Sequence, residues 1–148
     1  MAAATLHDGV LGVCAKAPPL VPEKKVREGI VDAIKDYEGD DLAKKLKVFH
    51  SEATDTLFYG WAKAWISKEF DDWSCEKELQ DIRCPVHLIF GQADDYGYQL
   101  SMKVLINNLS APLELQVLEN IRHMPHHQAR KETIESVCRL IKRVNKFN

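Results

Sequence analysis

Two side chains in the second half of the chain have the types and the setting for proton-transfer chemistry. Asp94 stands three residues beyond Gly91, which closes the apolar run Val86-His87-Leu88-Ile89-Phe90. His123 follows a second run, in which Leu113, Leu115 and Val117 alternate and Leu118 is added. A histidine used as a general base must be held in one tautomer. A carboxylate that accepts from one ring nitrogen does this, and it stabilises the imidazolium that forms. Asp95, one residue along, competes for the same role. An Asp-Asp turn alone reads as the acidic start of a helix, and the histidine turn one strand later favours the catalytic reading. His126 and His127 extend the cluster to H-x-x-H-H. That spacing is not a helical ligand pattern, no carboxylate cluster accompanies it, and Pro125 breaks the helix that would align the rings, so no metal is expected. His126 is instead expected to shape the loop or cap the last helix.

The elements that must position Asp94 and His123 are legible from periodicity. Pro85 opens the first run and Gly91 ends it, as suits a strand buried on both faces. Met102, Leu105, Ile106 and Leu109 recur at helical steps, Ser110-Ala111-Pro112 breaks that helix, and the second strand runs from Leu113 to Leu118. In a parallel sheet with a helical crossover, both strand ends lie on one edge, where active sites form. Earlier, Gly9–Ala15 reads as a short strand weakened by two glycines. The segment 17–22, with Pro18, Pro19 and Pro22, is an extended exit loop. From Glu23 to about Leu79 the pattern is helical throughout. Val26, Ile30 and Ile34 form one stripe. Asp40 or Asp41 is placed to cap a helix carrying Leu42 and Leu46, and Thr54 or Asp55 one carrying Leu57, Phe58, Trp61 and Trp65. Ser74 is placed to cap a short helix. Ile134, Val137, Leu140, Ile141 and Val144 mark a closing amphipathic helix expected to lie against the sheet.

The fold class expected is therefore α/β: about three parallel strands with a helical insertion after the first. The pattern C-P-V-x-L-I-x-G-x-x-D-D-Y-G, then a strand, then R-H-M-P-H-H, resembles the end of an α/β-hydrolase. The resemblance runs from about Gly9 to the end. It implies a partial α/β-hydrolase fold in one domain, 1–148, with residues 23–80 as the helical cap inserted after the sixth strand. It matches Asp94 to the family's acid and His123 to its histidine, and it implies acyl-ester hydrolysis with no cofactor. Where the family often shows G-H-S-P-H, this chain has Arg122 in the glycine's place and Met124 in the serine's. The family's early strands, oxyanion loop and nucleophile elbow have no counterpart in these residues. The elbow G-x-S-x-G needs glycines around a serine, and none of the seven glycines sits two residues before one. Gly12-Val13-Cys14 is the nearest echo. Pro18 and Pro19 lie where the elbow's helix should run, so Cys14 reads as a small buried hydrophobe. Phe58, Trp61 and Trp65 would line an acyl pocket, or form the core of the cap, or both.

Composition narrows the classes further. A chain of 148 residues with 45% hydrophobic and 28% charged residues and a net charge of -2 is of globular type,. It has no basic footprint for nucleic acid. Four widely spaced cysteines without a C-x-x-C pair suit a reducing compartment. The N-terminal residues MAAATLHDG do not form a signal peptide, and no apolar run approaches a membrane span. The expectation is a cytoplasmic protein that contacts neither nucleic acid nor membrane. Its partners would be a small acyl ester and, because the first strand's outer edge is unpaired, a second copy or a chain that completes the sheet.

Overall fold

The structure, a computed structural model, describes Thr5 and residues 9–146. It forms two compact units, one of residues Pro22–Trp73, the other of the described residues up to Val21 together with those from Ser74 onward. Glu76–Gln80, inside the range 23–80 expected as the insertion, clusters with the sheet.

The sheet unit holds three parallel strands in the order β1 (Val13–Lys16), β2 (Val86–Gly91), β3 (Leu113–Leu118). Val13 pairs with Val86 and Lys16 with Ile89; Val86 pairs with Leu113 and Gly91 with Leu118. Every residue of β2 is buried, as its unbroken apolar run requires of a central strand,. The first strand starts four residues later than the sequence suggests, because its ladder opens only where the Val13 amide reaches the Pro85 carbonyl at 2.9 Å.

Among the described residues, four helices lie around the sheet. They are α4 (Glu76–Gln80), α5 (Gln99–Asn108), α6 (Pro125–Gln128) and α7 (Arg130–Val144). The N-cap of α4 is Cys75 and not Ser74 as expected; Ser74, one residue earlier, accepts the Glu76 amide on its Oγ at 3.1 Å. Pro125 does not break a helix; it begins one, occupying the first turn of α6, where its missing N–H costs nothing,.

The closing helix α7 departs from expectation. Ser136 and Leu140 are its buried residues, whereas Ile134, Val137 and Ile141 are exposed. Polar pins set its rotation. Arg139 donates to Glu114 of β3, with Nε at 2.8 Å and Nη2 at 2.7 Å. The buried His87 ring donates through Nδ1 to the Ser136 carbonyl at 3.2 Å. Gly12 lets the helix come close, since a Cβ there would stand 3.0 Å from Leu140 Cδ1. Sequence periodicity weighs apolar positions only, so it could not see that arginine and serine would face the sheet.

The second unit packs α1 (Lys24–Glu38), α2 (Asp41–His50) and α3 (Thr54–Ile66). Val26, Ile30 and Tyr37 are the buried face of α1. Arg27 donates to the carbonyls of Ile66 at 3.1 Å and Ser67 at 3.0 Å, closing the end of α3, and pairs with Asp71. The expected carboxylate caps do not form: Asp40 precedes α2 in a left-handed conformation (φ 77) without a side-chain cap, and Thr54 starts α3 by donating to the Ser51 carbonyl.

Tyr37 stacks on Phe58 with centroids 3.9 Å apart, and its hydroxyl donates to Asp55. That hydrogen bond pushes the phenol from 10.0 up to about 12. A raised folded value means the contribution is whole below the unfolded pKa and is lost as pH rises through the folded one. Spectrophotometric titration is therefore expected to show one tyrosine ionising near pH 12. The chain's stability should fall as pH climbs past 10.0 toward that value, and Tyr37→Phe should remove this component.

Among the described residues no helix is long and apolar enough to cross a membrane.

Candidate active site

Beyond the carboxyl ends of β2 and β3 the chain makes two turns that interlock. The Gln92 amide donates to Leu118 O and the Ala93 amide to Ile121 O, both at 2.9 Å, so the acid turn hangs from the histidine turn by backbone bonds. Asp94 then reverses the chain. Its Oδ1 accepts the Tyr96 amide at 2.9 Å, and its carbonyl accepts the Gly97 amide at 3.1 Å. This is the Asx turn that aspartate favours, and Gly97 takes the left-handed conformation (φ 81) that follows,. On the other strand Asn120 makes the tight step at φ 59. Asparagine tolerates that region better than most residues.

Gly91 lies where the turns meet. A Cβ on it would stand 2.2 Å from both the Ile121 and Arg122 carbonyl oxygens. The sequence marks Gly91 as the end of a strand; its further role is to let the histidine turn pass against β2.

This framework brings His123 to Asp94. The imidazole Nδ1 stands 3.0 Å from Oδ2 and 3.2 Å from Oδ1. Asp94 is 1% exposed, while the His123 side chain is 37% exposed. The buried carboxylate is fixed by its own turn, so it can hold the ring while the ring's far side faces outward. A carboxylate can only accept, so Nδ1 carries the proton and Nε2 presents a lone pair. Among the described residues Nε2 has no hydrogen-bond partner. The Tyr96 ring lies against the imidazole, with centroids 4.5 Å apart and planes tilted by 57°. A ring base with one nitrogen held by a buried acid and the other open is the arrangement that takes a proton from a hydroxyl or thiol nucleophile.

Asp95 is engaged elsewhere. Its Oδ2 accepts from Arg122 Nε at 2.6 Å. The Arg122 amide donates to Gln128 Oε1 at 3.0 Å. Arg122 thus has work of its own where the family pattern has glycine: it ties acid turn, histidine turn and α6 together from outside. The pair is well exposed, so Asp95→Asn is expected to cost under about 1 kcal/mol in urea unfolding and to leave the His123–Asp94 contact in place. A matching change at Asp94 should disturb His123, and the contrast is read from the two His123 side-chain spectra.

Of the other candidate residues, His126 and His127 lie in α6, their ring centroids 4.1 Å apart. His126 does not cap α7, whose N-cap is Ala129. It meets Lys16 Nζ, 2.9 Å from Nε2. Desolvation, then the charge of Lys16, pushes its ring pKa down. Among the described residues no group of three or more histidine, cysteine, aspartate or glutamate side chains is arranged to hold a metal. Cys14 is exposed, not buried. It pairs in register with His87 on β2, and His87 with Glu114 on β3, several residues before the strand ends that carry Asp94 and His123. Desolvation, then Glu114, pushes its thiol up, away from the thiolate a nucleophile needs,. Phe58, Trp61 and Trp65 all belong to the helical unit. Phe58 is in its interior, Trp61 touches Phe58 but is 40% exposed, and Trp65 packs with Phe70 and Trp73.

Sequence periodicity missed Tyr96 and Gln128. The first has a local signal, an Asp two residues before it whose side chain seeks its amide. The second has none, because its partner is a backbone group six residues away.

Comparison with known proteins bears on the fold. No family model and no curated protein matches the chain. Solved structures do. A membrane phospholipase A, described as a bacterial virulence factor, matches 97% of this chain and 52% of its own at 18% identity, with a TM-score of 0.69. A serine hydrolase involved in carbazole degradation matches 95% of this chain and 57% of its own at 11% identity, TM-score 0.66. A proline iminopeptidase from Mycobacterium smegmatis matches 99% and 62% at 13% identity, TM-score 0.61. At these identities the likeness is one of fold. The chain spans little more than half the length of the structures it matches.

Proposed function

From the premise that the chain has a partial α/β-hydrolase fold, the part that carries the acid and histidine turns, we propose that it supplies two members of a Ser-His-Asp triad for the hydrolysis of a small acyl ester. His123 takes the proton of a serine as that serine attacks the acyl carbon, then passes it to the leaving oxygen. Asp94 keeps His123 in the Nδ1–H tautomer and stabilises its charged form. The serine and the oxyanion donors come from outside these residues, so the chain alone is inactive. The observation that carries this reading is the contact of the buried Asp94 carboxylate with His123 Nδ1 at 3.0 Å. Residues 23–80 are read as a cap, and Phe58, Trp61 and Trp65 as part of its aromatic core. Four free cysteines support a reducing, cytoplasmic setting,. Fluorophosphonate labelling with peptide mapping tests the proposal. No serine of this chain should be labelled, and a mapped serine within it would contradict the reading.

A second reading has its own observation. Among the described residues β1 pairs on one side only, with β2. Ile134, Val137 and Ile141 of α7 are exposed. At 3.6 residues per turn they lie across the helix from Arg139, which is pinned toward β3, and so toward the β1 side,. An open strand edge flanked by an apolar helix face suits a non-catalytic module that binds a second copy or a sheet-completing chain. A sizing run distinguishes the two: this reading expects a dimer that Ile141→Asp returns to monomer, and a monomer at high concentration counts against self-association.

A further inference from the structure

Two tyrosines leave the acid turn, and they go to different places. Tyr98 stacks on the buried Phe90 of β2, with centroids 5.6 Å apart. Tyr96 lies against the His123 imidazole, at 4.5 Å with planes tilted by 57°. The Tyr96 side chain is not needed to make the turn. The turn is closed by the Tyr96 amide on Asp94 Oδ1 at 2.9 Å and by the Gly97 amide on the Asp94 carbonyl at 3.1 Å. Any residue other than proline at position 96 supplies the first of these bonds. What the tyrosine ring adds is its contact with the histidine.

His123 needs a second hold. Its Nδ1 is tied to the Asp94 carboxylate at 3.0 Å, yet its side chain is 37% exposed. The torsion that turns an imidazole about its bond to Cβ is broad and roughly two-fold. One hydrogen bond fixes a point on the ring and leaves its plane free. A half-turn would bring a carbon to the carboxylate in place of Nδ1. A planar side chain packed on the imidazole removes that freedom, as packed neighbours lock the rotamers of reacting groups. Tyr96 is placed to do this because its own backbone is pinned to Asp94 Oδ1, the oxygen 3.2 Å from Nδ1. One turn thus grips the base twice, at a nitrogen through Asp94 and at the ring through Tyr96. We propose that Tyr96 is a positioning residue for His123: its ring confines the imidazole to the orientation in which Nδ1 meets Asp94 and Nε2 faces outward. The assignment rests on the reading of His123 as a base, and it adds a residue that the Ser-His-Asp pattern does not contain.

The test is magnetic resonance of the His123 side chain in the whole chain, comparing wild type, Tyr96→Phe, Tyr96→Ala and the control Tyr98→Leu. Two quantities are read: the order parameter of the ring from carbon relaxation, and the rate at which the Nδ1 proton exchanges with water. That rate follows the population of rings swung away from Asp94. Tyr96→Ala should lower the order parameter and quicken the exchange about threefold to tenfold, the loss of one aromatic pair. Tyr96→Phe keeps the ring and should stay within about twofold of wild type. Tyr98→Leu removes a packing contact of β2 and should leave His123 as it was. Tyr96 is half-buried, so circular dichroism checks the fold, and Tyr96→Leu replaces Tyr96→Ala should that variant not fold. An unchanged order parameter in the folded variant overturns the assignment, even with faster exchange, because exposure alone would then explain the rate. So does Tyr96→Phe matching Tyr96→Ala, which would make the hydroxyl the agent, or Tyr98→Leu loosening the ring as much. These results leave the Asp94–His123 pair standing. A wild-type ring without a proton on Nδ1 overturns the base reading itself, and the assignment with it.

Discussion

Gly91→Ala is expected to destabilise the chain by roughly 2–3 kcal/mol and to separate His123 from Asp94. Ordinarily glycine to alanine in a strand is favourable by roughly 0.5–1 kcal/mol, because alanine loses less backbone entropy. At Gly91 that gain is outweighed. The added Cβ would stand 2.2 Å from two carbonyl oxygens, those of Ile121 and Arg122. Backbone atoms cannot rotate aside as a side chain does, so either β2 or the histidine turn must move. The amide bonds from Gln92 to Leu118 and from Ala93 to Ile121 run through the same junction and would go with it. Gly60 supplies the control. It lies inside α3, a Cβ there meets nothing within 4 Å, and Gly60→Ala should stabilise by about 0.8 kcal/mol. Opposite signs in urea unfolding at the two glycines check the argument, and equal effects would remove the close approach as the reason for Gly91.

Asp94→Asn is expected to lower ester turnover by about 10⁴-fold in any assembly in which the chain is active, with KM little changed. The amide keeps one oxygen to accept the Tyr96 amide, so the Asx turn survives. Its NH₂, however, is a donor facing His123 Nδ1. The ring must then present a lone pair on Nδ1 and carry its proton on Nε2, the atom that receives the serine proton in the proposed triad. The side chain is nearly isosteric, so the loss comes from the wrong tautomer with the fold retained. Steady-state kinetics beside a thermal melt checks this. A fall of less than about tenfold with the fold intact would mean that Asp94 does not orient the base.

The fold and the pairing of Asp94 with His123 were legible because they rest on strong local signals. An unbroken apolar run made β2, alternation made β3, and a helical crossover between them placed both turns on one edge. What the sequence hid was set by contacts between distant residues. That Asp94 and not Asp95 meets the ring depends on the interlocked turns, and on Arg122 drawing Asp95 outward. The rotation of α7 depends on Glu114 and His87, polar side chains on two different strands. The start of β1 depends on where β2 offers a carbonyl, and neither glycine of 9–12 signals it. The nucleophile is a different matter: no elbow pattern exists in these residues, and Cys14 stands in the wrong row of the sheet.

The most direct measurement is the tautomer of His123, read from long-range proton–nitrogen correlations of the imidazole in the wild-type chain and in Asp94→Asn. The Asp94–His123 contact predicts a protonated Nδ1 and a bare Nε2 in the wild type, with the pattern reversed in the variant. A wild-type ring protonated at Nε2, or one that ignores the substitution, would contradict the claim that this chain carries a preorganised base.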